Sequence, residues 1–209
     1  MCREKYLAID VGGTAIKYTL TDKNAETIKI NEIKTRREAE KLFESLDKII
    51  RQHLNQIEGI ALSFPGKINA EKGIVNKVAT FDWICDMPLK SILDDKYKKP
   101  VWIENDGKCV ALAELWKGNL SDVKNGVVIE LGTEIAEGIN LNGALYRRSN
   151  ETAGEFSSIL TDFKNHNNEK RFGKIGGYKN LTDVYNDKKC AIDSHNLLKT
   201  IEIVMKHRR

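Results

Sequence analysis

The sequence predicts an α/β protein built as two lobes, and three observations carry that prediction. Residues 5–21 read as two apolar strands joined by a glycine turn, a helical apolar stripe occupies much of the next forty residues, and the opening strand–turn–strand design returns near residue 130. Sheet and helix therefore alternate along one chain, and a duplicated hairpin marks two related halves. The division is placed between 1–105 and 106–209.

KYLAIDV at 5–11 is a buried-strand pattern, Gly12-Gly13-Thr14 supplies a turn, and AIKYTLT at 15–21 returns as a second strand. From Thr35 to Gln56 the apolar residues Ala39, Leu42, Phe43, Leu46, Ile49, Ile50 and Leu54 recur at intervals of three and four, which puts them on one helix face to cover a sheet. IEGIALSF at 57–64 is a strand stopped by Pro65-Gly66. PVWIE at 100–104 is another, and it runs through Asn105-Asp106 into a helix over 107–117. GVVIEL at 126–131 begins the second hairpin, which returns near 138–142. DVGGTAIKYTL at 10–20 and ELGTEIAEGINL at 130–141 share an acid, a glycine-bearing turn and two apolar flanks. The polar, glycine-bearing stretch 161–180 reads as a mobile loop. A last amphipathic helix is expected over 188–207, with Ile192, Leu197, Leu198, Ile201, Val204 and Met205 as its stripe.

The 209 residues, 41% of them hydrophobic, suffice for one large core or two small ones. Cys2, Cys85, Cys109 and Cys190 are widely spaced without a CxxC pair, so neither a zinc site nor a disulfide framework is expected. The net charge of +4 comes from intermixed acids and bases, with a small basic end at Lys206, Arg208 and Arg209, and does not imply nucleic acid. No apolar run reaches the roughly 20 residues of a membrane span, and MCREKYLAIDV lacks a charged-then-apolar leader, so a cytoplasmic protein without membrane contact is expected.

Three segments carry chemistry. Asp10-x-Gly12-Gly13-Thr14-x-x-Lys17 sets small residues in a strand–turn–strand, where backbone N–H groups approach the phosphates of a nucleotide and the carboxylate faces a magnesium ion through water. An ordinary tight turn is equally open. Glu104-Asn105-Asp106 ends a strand and opens a helix, so Asp106 is either a helix cap or a carboxylate aimed at a cleft to accept a hydroxyl proton. Ala153-Gly154-Glu155 follows the second hairpin, and alone it reads as solvated loop.

In order, IDVGGTAIK, GIALSFPGKI, ENDGKCVALAELWKGN, LGTEIAEGINLNGALYR and AGEFSSI resemble the successive landmarks of ROK-family sugar kinases, most nearly the beta-glucoside kinase type, over about residues 5–160. The resemblance implies an actin-like, ribonuclease H-like ATPase fold of two lobes, the second incomplete, and transfer of phosphate from ATP with magnesium to a sugar hydroxyl, usually on carbon 6. It implies Asp106 as general base, with Asn105, Gly66 and Glu155 on the sugar. Gly12, Gly13, Thr14, Gly132 and Thr133 would line the phosphates, and Asp10 would stand near the metal. Repressor members carry a DNA-binding domain ahead of the first motif. Only nine residues precede Asp10 here, which favours the kinase branch.

The chain departs from the family pattern in three ways. Where the second phosphate loop is glycine-rich, of the type GTGIGGG, this chain reads Gly132-Thr133-Glu134-Ile135-Ala136-Glu137-Gly138. The carboxylates are expected to weaken ATP binding. Ser158 stands where many members have a histidine, and the cysteine-rich zinc segment is absent, as in the beta-glucoside kinase type. The chain also stops before the segments that supply an adenosine pocket, which Gly176-Gly177 do not replace. Two functions follow from these features: a sugar kinase, or a weak or inactive remnant that binds sugar or a partner chain. A half-built second lobe would expose apolar surface, and a homodimer is one way to cover it.

Overall fold

The computed structural model describes residues 4–132, 135–148, 151–162, 164, 170–178, 180 and 183. Thr133, Glu134 and the helix expected over 188–207 lie outside these residues. The chain divides into two compact units, Met1–Val128 with Gly138–Ala153, and Ile129–Glu137 with Gly154–Arg209. The boundary expected after residue 105 falls inside the first.

The first unit is built on a five-stranded sheet in the order β3-β2-β1-β4-β8. Strands β1 (Tyr6–Val11) and β2 (Ala15–Thr21) form the opening hairpin, and β3 (Asn31–Lys34) extends it. Strands β4 (Gly59–Phe64) and β8 (Val101–Asn105) lie parallel to β1. Side chains alternate across a strand, so Leu7, Ile9 and Val11 fall on one face with Ile60, Leu62, Phe64, Val101 and Ile103, all buried. Helix α1 (Ala39–His53) packs into the same core through Leu42, Leu46, Ile49 and Ile50. Each such side chain contributes roughly 1.5–3 kcal/mol.

Helix α1 starts at Ala39, the first residue of its apolar stripe and four residues after the start of the expected span at Thr35, because Thr35 is engaged elsewhere. Its N–H donates to Thr14 O at 3.0 Å and its hydroxyl to Gly12 O at 2.7 Å, which ties the residue to the glycine turn. Helix α2 (Leu89–Tyr97) buries Leu89, Leu93 and Tyr97 and ends on Lys98 in the left-handed conformation, φ 51°. Asp47 of α1 accepts from Lys96 Nζ, Arg51 Nε and the Tyr97 hydroxyl, each at 2.8 Å; Arg51 is on α1 itself, and the two α2 donors, Lys96 and Tyr97, join the helices.

A small antiparallel sheet of β5 (Lys67–Asn69), β6 (Ile74–Lys77) and β7 (Cys85–Met87) follows β4. Helix α3 (Asp106–Lys117) leaves β8 directly. Strands β9 (Gly126–Leu131), β10 (Ile135–Leu141) and β11 (Ala144–Leu145) form a three-stranded sheet in the order β11-β10-β9. Strand β10 begins three residues before the expected return.

In the second unit, a 3₁₀ turn at Phe156–Ser158 and helix α4 (Phe172–Gly176) are joined by pairing of Leu160 with Arg171. The stretch 161–180 thus contains a helix where the sequence suggests loop throughout. Gly173 and Gly176 permit it, since a Cβ on either would meet Ser157 Cβ at 2.8 Å or Ile135 Cδ1 at 2.5 Å. Among the described residues, no helix is long and apolar enough to cross a membrane.

Candidate active site

In the first unit, Asp10, Ser63 and Glu104 are register partners across β1, β4 and β8, near the carboxyl ends of the parallel strands. Ligands of open α/β sheets gather at such ends. The row lies on the face opposite the core, where alternation places it. Ser63 donates its hydroxyl to Asp10 Oδ1 at 2.7 Å. Lys17 is the register partner of Asp10 on β2 and lines, with Asp10, Ser63 and Glu104, a cavity of about 880 Å³.

At the hairpin tip, Gly12 N–H donates to Ala15 O at 3.0 Å, and a Cβ on Gly12 would stand 2.9 Å from that oxygen. One on Gly13 would stand 3.2 Å from Thr80 Cγ2. Gly12 is required for space, while at Gly13 the Thr80 side chain would have to give way. Thr14 is exposed beside them. Asp10 is also exposed, a single carboxylate backed by a hydroxyl, and this fits magnesium, which binds one or two carboxylates and keeps most of its water. Gly12, Gly13 and Thr14 would then meet phosphate.

At the junction of β8 and α3, the capping role falls to Asn105 and not to Asp106. Asn105 is the helix cap: its backbone is extended and its Oδ1 accepts from Lys108 N–H at 3.1 Å. Asp106 is the first helical residue. Its Oδ1 accepts from Gly107 N–H at 2.9 Å and from Asn105 Nδ2 at 2.8 Å, and Oδ2 takes neither bond. Asn105 Nδ2 also donates to Gly66 O at 3.0 Å, which brings the Pro-Gly turn to the same place. Gly66 has φ 90°, and a Cβ there would collide with Lys77 O, so glycine is needed twice over. Burial pushes the Asp106 carboxyl above the ordinary carboxylate range, with the charge of Asp10 adding to the rise.

Cys109, one turn into α3, has its thiol pushed up to about 12, first by burial and next by Glu104. It is an inert group at neutral pH.

Within the second unit, Gly154 has φ 84° and leads into Glu155, which is exposed and opens the 3₁₀ turn. Glu137 does not lie in the hairpin turn as its expected place beside the phosphates suggests. It belongs to β10 and is 8% exposed, and its Oε1 accepts from Ser157 N–H at 2.8 Å. Burial raises its carboxyl, with Glu155 adding to the effect. Gly132 O accepts from Tyr178 N–H at 2.8 Å. Of the two acids that replace glycines, only Glu134 is left as a candidate obstacle in the turn, and it lies outside the described residues.

The structure thus gathers Asp10, Gly66, Asn105 and Asp106 in the first unit, while Gly132 and Glu155 belong to the second. Sequence reasoning missed Ser63, Thr35 and Arg147. Ser63 was findable, as a polar residue on the outward beat of an apolar strand. Thr35 and Arg147 act through contacts distant in sequence and leave no local signal.

A glycine hairpin on a mixed sheet, carboxylates near the ends of two parallel strands and a helix opening on an aspartate are features of the actin-like fold. The chain belongs to the ROK family, whose pattern matches residues 6–175. It is 34% identical over 163 residues to the glucokinase of Halalkalibacterium halodurans, covering 74% of this chain and 49% of that one. It is 34% identical over 164 residues to the beta-glucoside kinase of Listeria innocua, covering 76% and 54%. The ROK glucokinase of Streptomyces griseus, solved with glucose and AMPPNP, shares the fold at a TM-score of 0.77 and 20% identity, over 86% of this chain and 59% of that one. The chain spans about half the length of the curated relatives it matches.

Proposed function

We propose that this chain transfers the γ-phosphoryl group of ATP to a hydroxyl of a hexose or β-glucoside, the 6-hydroxyl in the first instance, with Asp106 as general base. The observation that carries the reading is the division of labour at the β8–α3 junction. Asn105 caps the helix, so Asp106 is spared that task, and Oδ1 takes the bonds from Asn105 and Gly107. A carboxylate with a raised affinity for protons is suited to receive the hydroxyl proton as the new O–P bond forms and ADP leaves. By the resemblance, Gly66 and Asn105 would border the sugar and Glu155 would accept from its hydroxyls. Gly12, Gly13, Thr14, Lys17, Gly132 and Thr133 would receive phosphate. Asp10 would hold magnesium through water, and the ion would neutralise charge on the phosphates.

The names of the relatives, glucokinase and beta-glucoside kinase, support glucose and its β-glucosides as first substrates to try. Calorimetric titration with glucose, methyl β-glucoside and ATP–magnesium in turn tests the reading. Saturable heat with a sugar and with the nucleotide is expected, and no heat with any sugar would overturn it.

Glu134, in a position the resemblance gives to glycine, favours a second reading in which the chain binds sugar and transfers little phosphate. Sugar heat without nucleotide heat would select that reading, and Glu134→Gly should then restore nucleotide binding.

A further inference from the structure

One short segment after β11 reaches the base-bearing junction twice, with opposite polarity. Arg147 donates from Nε at 3.0 Å and from Nη2 at 2.7 Å to Glu104 Oε2. The other oxygen of Glu104 accepts from Asn105 N–H at 2.9 Å. Asn105 in turn directs its amide at Asp106 and Gly66. On the far side of Asp106, Lys108 is 2% exposed. Its Nζ donates to Glu151 O at 2.5 Å and stands 3.9 Å from Glu151 Oε2. The residue two before Asp106 therefore holds Arg147, and the residue two after it holds Glu151.

The described residues around these contacts are themselves constrained. Arg148 and Glu151 each have φ 60°, a conformation that L residues keep only where the surroundings impose it. Ala153 N–H returns to Arg147 O at 3.4 Å, and Ala153 is buried. Buried ionic contacts add little stability over an apolar replacement, but they do fix orientation. Glu104 at 8% exposure and the still more enclosed Lys108 are costly to bury, which argues that geometry is what they supply.

We propose that Arg147 and Glu151 brace the base-bearing junction, and that Arg147 is a positioning residue acting on Asp106 through Glu104 and Asn105. This rests on Asp106 being the base. Without the fork, Glu104 loses the partner that holds its side chain against Asn105 N–H, and the amide that aligns Asp106 loses its anchor.

The test compares Arg147→Met and Arg147→Lys with the parent chain by glucose calorimetry and by amide hydrogen exchange of Asn105 and Gly107. Arg51→Met, which removes an exposed helix pair elsewhere, is the control for general destabilisation. Arg147→Met is expected to weaken glucose binding about tenfold and to speed both amides about tenfold, the scale of one lost charge-assisted bond. Arg147→Lys should fall between, since an ammonium keeps the charge but replaces two converging N–H donors on Oε2 with a single flexible one. Arg51→Met should change neither readout. Parent-like affinity and exchange in Arg147→Met would overturn the brace, and if that variant does not fold, parent-like values in Arg147→Lys would do the same. Should the parent bind no glucose, the base reading fails by itself, and the exchange comparison alone decides the brace.

Discussion

Asp106 meets two opposing demands, and both are measurable. Burial disfavours its charge, while Gly107 N–H and the Asn105 amide favour it, and the balance leaves the carboxyl raised. A carboxyl raised in the folded state is most stabilising below its unfolded value of about 3.9, and that stability is lost as pH rises through the folded value. Asp106→Asn should therefore be more stable than the parent at neutral pH, with the gap closing in acid, as thermal melts across pH will show. The same substitution should leave sugar affinity nearly unchanged and lower phosphoryl transfer by about 10² to 10⁴-fold. The acid limb of the parent's pH–rate profile should sit above the ordinary carboxylate range and vanish in the variant. Glu137 carries a second prediction at this scale. Its bond to Ser157 N–H makes it a support for the turn that follows Glu155, so Glu137→Gly should lower stability by about 1–3 kcal/mol and leave ATP affinity unimproved, as melting and calorimetry will report.

At the scale of elements, the Asp47 junction holds α1 to α2 through Lys96 and Tyr97. The Lys96 contact foremost, with Arg51 and Tyr97, holds the Asp47 carboxyl well below the usual range. A depressed carboxyl contributes stability above its unfolded value and loses it as pH falls through the folded one. Asp47→Ala should cost about 1–2 kcal/mol at neutral pH, because the buried Tyr97 hydroxyl loses its acceptor, and the cost should shrink in acid, which melts of both chains across pH will measure. Elements with a strong period were legible in the sequence: β1, β2, β4, β8 and α3 fall within two residues of their expected bounds. Helix α2 was missed although Leu89, Leu93 and Tyr97 sit at helical spacing, because nine residues after a proline give a weak pattern. Strands β3, β5, β6, β7 and β11 span two to four residues each and owe their form to pairing partners. The site was legible in its motifs, since Asp10, Gly66, Asn105 and Asp106 do come together. The cap assignment was not, because Asn105 and Asp106 are adjacent, both residue types cap helices well, and only hydrogen-bond geometry tells them apart.

At the scale of the whole molecule, the repeated hairpin is visible in topology. β1-β2-β3 and β9-β10-β11 each lie with the second strand in the middle, and only the first set is extended by parallel strands among the described residues. Trp102 and Trp116 are 54% and 55% exposed on the first unit. The central claim, that Asp106 serves as base in phosphate transfer to a sugar, is tested most directly by following radiolabelled γ-phosphate from ATP–magnesium into glucose or methyl β-glucoside with the parent chain and with Asp106→Asn. Label in a sugar phosphate with the parent, and its loss in the variant at undiminished sugar affinity, is the predicted result. Equal transfer by both chains would contradict it.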